Sequence, residues 1–381
     1  WIKGGYKIIV AGSKAIYEHI SACYRLGGAR DFDVELMARV YEQPFAVEYL
    51  ASAADAPVTH ETSSAIGRHL DGCRIGFDAG GSDRKVSAVV DGEAIYSEEV
   101  IWHPKTQTDP EYHYEGILSS MKTAASKMPR VDAIGVSAAG IYIDNRTMSA
   151  SLFIAVPKDL FEKRVKNIFI DIAKEIGAPL EVANDGDVTA LAGAMDLDSD
   201  SVLGVAMGTS EAGGYVDTSG NITGWLNELA FVPVDGNPGS SVDEWSGDIG
   251  CGVSYFSQDA VIRLAPVAGI ELPADYTLAE QLKYVQDLHE QGDQRTGAIY
   301  ESIGVYFGYA VAYYALFYDI KHVLIMGRVT SGEGGNILLQ KAREVLAVEF
   351  LDLNKTIQLN IPDEKSRRVG QSVAAASLPA V

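Results

Sequence analysis

Arg74-Ile-Gly-Phe-Asp-Ala-Gly-Gly-Ser82 is an apolar run that ends in a glycine turn, and its reading decides the fold. The run has the length and apolar content of a buried strand, and the paired glycines mark the place where it must turn. Lys85-Val-Ser-Ala-Val-Val90 reads as a second strand, Asp91-Gly92 as a tight hairpin turn, and Glu93–Ile101 as a third strand. A helix around residues 116–127 follows, then a buried strand over Val131–Ser137, a helix over Leu160–Ile176 and a short strand running to Asp185. The same order then repeats. Ser201–Ser210 is a strand with a glycine turn, Gly213–Asp217 the second strand, Ser219-Gly220-Asn221 the turn and Ile222–Trp225 the third strand. A long helix over Thr296–Tyr318 and the strand His322–Gly327 complete the second half. Two such units predict a duplicated α/β architecture, with two lobes facing one another across a central cleft into which the glycine turns point. The lobes are placed at residues 74–185 and 186–381.

Residues 1–73 form an extra N-terminal α/β block. It has a strand at Tyr6–Val10, helical patterning through Ile16–Tyr24 and Val34–Tyr41, the run Phe45–Leu50 and a Ser/Ala/Asp/Pro-rich link from Ala51 to Thr62. It reads as a layer packed on the main body, without a recognition-helix pattern. The formal net charge of −21 argues against a chain whose task is gripping nucleic acid or an anionic membrane. The longest uncharged run, Ser302–Tyr318, is too short and polar for a membrane span and reads as a buried helix. Three widely spaced cysteines, Cys23, Cys73 and Cys251, give neither a disulfide framework nor a zinc-binding pair. A cytoplasmic location is expected, with a homodimer as the assembly.

Asp185 carries the chemistry. In Glu181-Val-Ala-Asn-Asp-Gly-Asp-Val-Thr-Ala-Leu191 it stands where a strand meets a helix, since Val188, Leu191, Ala192 and Met195 follow at helical spacing. A carboxylate there stays ionised in the field of the helix N-terminus and is a general-base candidate. The plainer alternative is an N-cap. The turn Asp78-Ala-Gly80-Gly81-Ser82 brings backbone N–H groups within reach of phosphate oxygens, and Asp78 is a candidate for Mg²⁺. Gly208-Thr209 repeats the turn in the second half. There is no Walker A motif and no GxGxxG.

These motifs resemble the ROK family (repressors, open reading frames and sugar kinases), within the actin/hexokinase/Hsp70 ATPase fold of ribonuclease H-like lobes. Asp78-Ala-Gly-Gly-Ser82 is similar to its first phosphate motif, and Asn184-Asp185-Gly-Asp187-Val-Thr-Ala-Leu191 to the segment holding its catalytic Asp. Gly208-Thr209 with Gly213-Gly214 resembles its second phosphate loop, and Met326-Gly327 with Gly332–Gly335 its adenosine region. The likeness covers roughly residues 74–381. The family signature ExGHxxVD…CxCGxxGCxE survives as a framework in Glu228, Val234, Asp235, Gly247, Gly250 and Cys251. Its His has become Phe231, two of its cysteines Glu244 and Ser246, and its closing Glu Val253. One cysteine does not make a tetrahedral zinc site, so no zinc is expected. Asp83 stands in place of the Lys of the first phosphate motif.

The resemblance implies an ATP- and Mg²⁺-dependent phosphotransferase acting on a hydroxyl of a sugar or similar polyol. In that reading Asp185 is the base, and Asn184, Asp187 and Glu228 bind the acceptor. Asp78, Gly80, Gly81, Ser82, Gly208, Thr209 and Gly327 hold the nucleotide. The alternative is a non-catalytic sugar sensor or regulator on the same fold, without a DNA-binding head.

Overall fold

A computed structural model describes residues 1–58, 63–64, 66–362 and 364–381, with the side chains of 63–64 and 364–369 outside the description. Residues 59–62 of the expected link lie outside it too.

The N-terminal block pairs β1 (Lys7–Ala11) in parallel with β2 (Ala46–Leu50). The helices Lys14–Cys23 and Asp31–Tyr41 lie between them in sequence. The two-residue strand β3 (Ser63–Ser64) follows. The first lobe then begins with β4 (Cys73–Ala79), β5 (Asp83–Val90) and β6 (Glu93–Ile101). Every residue of β4 is buried, as a central strand covered on both faces requires. Asp91 and Gly92 both take positive φ, the geometry that lets a two-residue hairpin follow the strand twist. β7 (Ala133–Ala138) comes next, then the hairpin of β8 (Ile141–Ile143) and β9 (Arg146–Ser149), and β10 (Leu180–Asn184). The second lobe has β11 (Val202–Met207), β12 (Glu211–Val216), β13 (Ile222–Thr223), β14 (His322–Met326) and β15 (Gln358–Asn360).

The two sheets run β6-β5-β4-β7-β10 and β13-β12-β11-β14-β15. Each therefore orders its strands third, second, first, fourth, fifth, with the first, fourth and fifth parallel and the hairpin strands antiparallel. The duplication read from sequence is a duplication of topology. β13 is shorter than the expected Ile222–Trp225, and β3 pairs antiparallel beyond it, so the N-terminal block covers what would be an exposed sheet edge. The helix expected over Leu160–Ile176 is broken. Lys166 N–H reaches back five residues to Phe161 O at 3.0 Å, while Lys166 O accepts from Thr147 N–H at 2.9 Å, and a regular helix resumes over Ile168–Ile176.

Each lobe has its own apolar core. One gathers around Phe77, Ile117 and Phe169, the other around Phe256, Phe307 and Leu338. A third cluster joins them, built from Val188 and Leu191 of the helix Asp185–Asp196, Ala374 and Ala375 of the helix Glu364–Ala376, and Leu324. The sequence boundary put residues 364–376 in the second lobe, but this helix crosses back and packs on β4, β5 and β7 of the first. Gly135 is where it docks, since a Cβ there would lie 1.6 Å from Ala375 O. Beyond it Arg74, fully buried, donates to Pro379 O at 2.7 Å. Among the described residues no helix is long and apolar enough to cross a membrane.

Candidate active site

The parallel register brings the first-lobe motifs to one sheet end. Ala79 pairs with Ala138, and Ala138 with Asn184, so the glycine turn after β4 and Asp185 after β10 leave the sheet at one level. In the second lobe Ala206 pairs with Met326, which sets Gly208 and Gly327 side by side. Gly327 has φ +103°, and a Cβ on it would lie 2.3 Å from Met207 O. No other residue fits there.

Asp185 opens the helix Asp185–Asp196, and the N-cap is its neighbour. Asn184 Oδ1 accepts from Gly186 N–H at 2.7 Å, and Asn184 Nδ2 donates to Gly140 O at 2.7 Å. The bland reading of this stretch thus applies to Asn184, whose amide is engaged at both ends in holding the strand–helix junction. These bonds leave one Nδ2 hydrogen with which Asn184 would bind an acceptor, as the sequence leads one to expect. Asp185 is left half-exposed, accepting from Gly186 N–H at 3.0 Å. Burial raises its carboxyl, while the Gly186 N–H, its own amide and Lys105 pull it back down.

Asp187 turns the other way. Its Oδ1 accepts from Tyr215 N–H at 3.2 Å and from Asn227 Nδ2 at 2.9 Å, and it is 7% exposed. It ties the helix to β12, and the expectation that it binds an acceptor is corrected on that ground. Two residues along a helix lie about 200° apart, so the sequence itself denies Asp185 and Asp187 a common face.

Glu228 is half-exposed. Burial and the charge of Asp185 push its carboxyl up to about 7. Two carboxyls near enough to repel do not ionise independently, and Glu228 is the one held near neutrality, while Asp185 has the N–H groups of a helix start to draw on. Such a pair can accept a proton from one hydroxyl and donate a hydrogen bond to another.

Asp78 is 7% exposed, and its Oδ1 accepts from Ser137 Oγ at 2.9 Å. Ser137 Oγ accepts in turn from Gln371 Nε2 of the returning helix at 3.0 Å. Burial raises Asp78 to about 7, with Asp185 adding to the rise. A buried carboxylate facing another carboxylate suits a divalent cation, which would offset both. Mg²⁺ is commonly held by one or two carboxylates together with phosphates and water, a donor set to which Asp78 could contribute. Asp83, which stood as a charge facing phosphate, is paired with Lys85 at 3.4 Å.

Zinc's donor set is missing from the loop that follows Glu228. Phe231 stacks on Trp1 at 4.5 Å between ring centroids and packs against Phe32 at 5.7 Å. Ser246 Oγ donates to Asp243 Oδ2 at 2.7 Å. Burial pushes the Cys251 thiol up to about 11. These groups do not fit a tetrahedral thiolate and imidazole site.

Trp102 and Lys105 were passed over in the sequence. Trp102 N–H donates to Ser82 O at 3.1 Å and its indole Nε1 to Gly80 O at 2.8 Å. Lys105 reaches over Gly81. A Trp-His-Pro-Lys run following a strand that pairs beside the turn was the available signal.

A model of the ROK family matches residues 74–359. The chain is similar in structure to a ROK glucokinase from Streptomyces griseus solved with glucose and AMPPNP, at 20% identity and TM-score 0.61, covering 80% of this chain and 98% of that one. It is similar to a ROK hexokinase from Thermus thermophilus at 18% identity and TM-score 0.61, covering 80% and 96%. A ROK transcriptional regulator homologous to the E. coli MLC protein aligns at 18% identity and TM-score 0.63, covering 81% and 79%. Among curated proteins no relative matches the chain. The fold is the duplicated actin/hexokinase-like one.

Proposed function

Because the chain belongs to the ROK family, we propose that it transfers the γ-phosphoryl group of ATP to a hydroxyl of a sugar or similar polyol, with Asp185 as general base. The observation that carries this reading is the placing of Asp185. It sits on a helix N-terminus at the end of β10, beside Glu228, at the sheet end that also holds the Asp78–Ser82 turn. Names of similar proteins that include a glucokinase and a hexokinase agree with it.

In this reading the Gly80–Ser82 and Gly208–Thr209 turns present backbone N–H groups to the phosphates, and Gly327 leaves room for the adenosine. Asp78 would hold Mg²⁺ directly or through water, and the ion would supply positive charge to phosphate oxygens. Glu228 hydrogen-bonds the acceptor and fixes its orientation. Asp185 accepts the proton of the reacting hydroxyl, ionised by the N–H groups at its helix start. Most of the acceleration is positioning and electrostatics.

The test is ATP consumption with Mg²⁺ across a panel of sugars and polyols. Turnover is expected with at least one acceptor, and Asp185→Asn should lower it by about 10²–10⁴-fold. A second reading, a sensor that binds sugar without chemistry, draws on Phe231 at the signature His and on the similar regulator. It wins if no acceptor supports ATP turnover while a sugar alone raises the melting temperature.

A further inference from the structure

Lys105 stands on the single turn Pro104–Thr106 that follows β6. The base of this turn is held from two sides. Trp102, 1% exposed, is pinned to Gly80 O and Ser82 O, the backbone of the first glycine turn. His113, fully buried, places Nε2 3.0 Å from Pro104 O and 3.3 Å from Leu152 O. The Lys105 side chain is exposed while its backbone is anchored. A methyl group placed on Gly81 would meet Lys105 Cε at 3.3 Å and Nζ at 3.6 Å, so the ammonium hangs directly over the turn. Its charge also reaches Asp185 at the same sheet end, as one of the groups that lower that carboxyl.

The other cations at this turn are engaged. Lys85 pairs with Asp83 at 3.4 Å. Arg84 donates to Ser120 Oγ at 2.9 Å and lies over the Trp102 ring at 5.5 Å. Among the described residues Lys105 has no ion-pair partner, in a cleft that holds Asp78, Asp185 and Glu228 and in a chain of net charge −21. A polyphosphate seated on the turn brings further negative charge to that place, and backbone N–H groups alone offset it poorly.

We propose that Lys105 is the side chain that grips the terminal phosphate of the nucleotide, lying over the Gly80–Ser82 turn and facing Asp185. The assignment rests on the reading of that turn as a phosphate site. Lys105 neutralises charge on the transferring group and acts on ATP rather than on ADP or the acceptor.

The experiment compares MgATP and MgADP affinity by calorimetry, and turnover, in wild type, Lys105→Met and Lys105→Arg. Lys105→Met should lose ATP affinity by about 10- to 100-fold, the worth of a charge-assisted hydrogen bond, with ADP affinity kept within a few-fold. Lys105→Arg should keep most of the ATP preference. The fall in the ATP-to-ADP ratio is the diagnostic, because a merely structural role would weaken both nucleotides alike. A wild type that binds ATP beside a Lys105→Met variant with the wild-type ratio overturns the Lys105 assignment alone. A wild type that binds neither nucleotide overturns the kinase reading and this role with it.

Discussion

Four carboxyls in and around the cleft carry a pH dependence that their positions dictate. Burial is the largest cause in each, raising Asp78, Asp187 and Glu228 to about 7 and Glu211 to about 8. Glu211 is 4% exposed, and the fully buried Tyr314 hydroxyl beside it offsets only part of the cost of that burial. An acid whose folded pKa lies above its unfolded one holds its proton longer when folded. Stability is then full below about pH 4, falls as pH rises towards 8, and levels above that. The ligand-free protein is expected to melt at progressively lower temperature from pH 5 to pH 8. Glu211→Gln should abolish its share, gaining on wild type by up to about 1.4 kcal/mol per pH unit across that window. Differential scanning fluorimetry over a pH series reads both, and an advantage independent of pH would refute the assignment. The positions of Asp185 and Asp78 at a helix start and before a turn were legible because a strand end, a turn and a helix start are local patterns. Glu211 was not, since nothing around Ser210-Glu211-Ala212 announces that the next strand is buried on both faces.

The junction between β10 and the helix Asp185–Asp196 is held by a single amide. Asn184 caps the helix with one end and grips Gly140 with the other. Asn184→Ala should cost about 1–2 kcal/mol in urea unfolding and lower turnover along with it. Asn184→Asp keeps the cap, loses the donor to Gly140, and should fall between the two. The succession of strands along each half was readable from the doubled glycine-turn pattern, which depends only on neighbours in sequence. The docking of the helix Glu364–Ala376 on the first sheet was not, because its small residues Ala374, Ala375 and Ala376 mark a close approach without saying to what. Gly135→Ala tests that contact. The added Cβ meets backbone, not a movable side chain, so unfolding of the whole protein at a markedly lower urea concentration is expected.

At the scale of the molecule, the N-terminal block touches both lobes. Glu42 pairs with Arg146 at 2.8 Å and Lys166 at 2.7 Å in the first lobe, and Arg30 pairs with Asp248 in the second. Glu228 N–H donates to Trp1 O at 3.0 Å. Exposed pairs of this sort are worth no more than about 1 kcal/mol, so Glu42→Ala should leave the melting temperature nearly unchanged. It should raise deuterium uptake in the hairpin Ile141–Ser149, because a brace between two bodies is felt in their motion before it is felt in their stability. Unchanged exchange there would show the block to be a passenger. Sequence placed this block outside the repeat but gave no partner for it, since Arg30 and Asp248 meet across 218 residues of chain. The returning helix has a consequence for how the protein is made. Synthesis finishes β15 at residue 360 and with it the second sheet, while the first sheet still lacks the cover that residues 364–379 supply. The half that leaves the ribosome first is therefore the half that matures last. A stalled nascent chain cut short at residue 362 should present a protease-resistant second lobe and a digestible first one, with the apolar surface around Gly76 and Gly135 left for chaperones to hold.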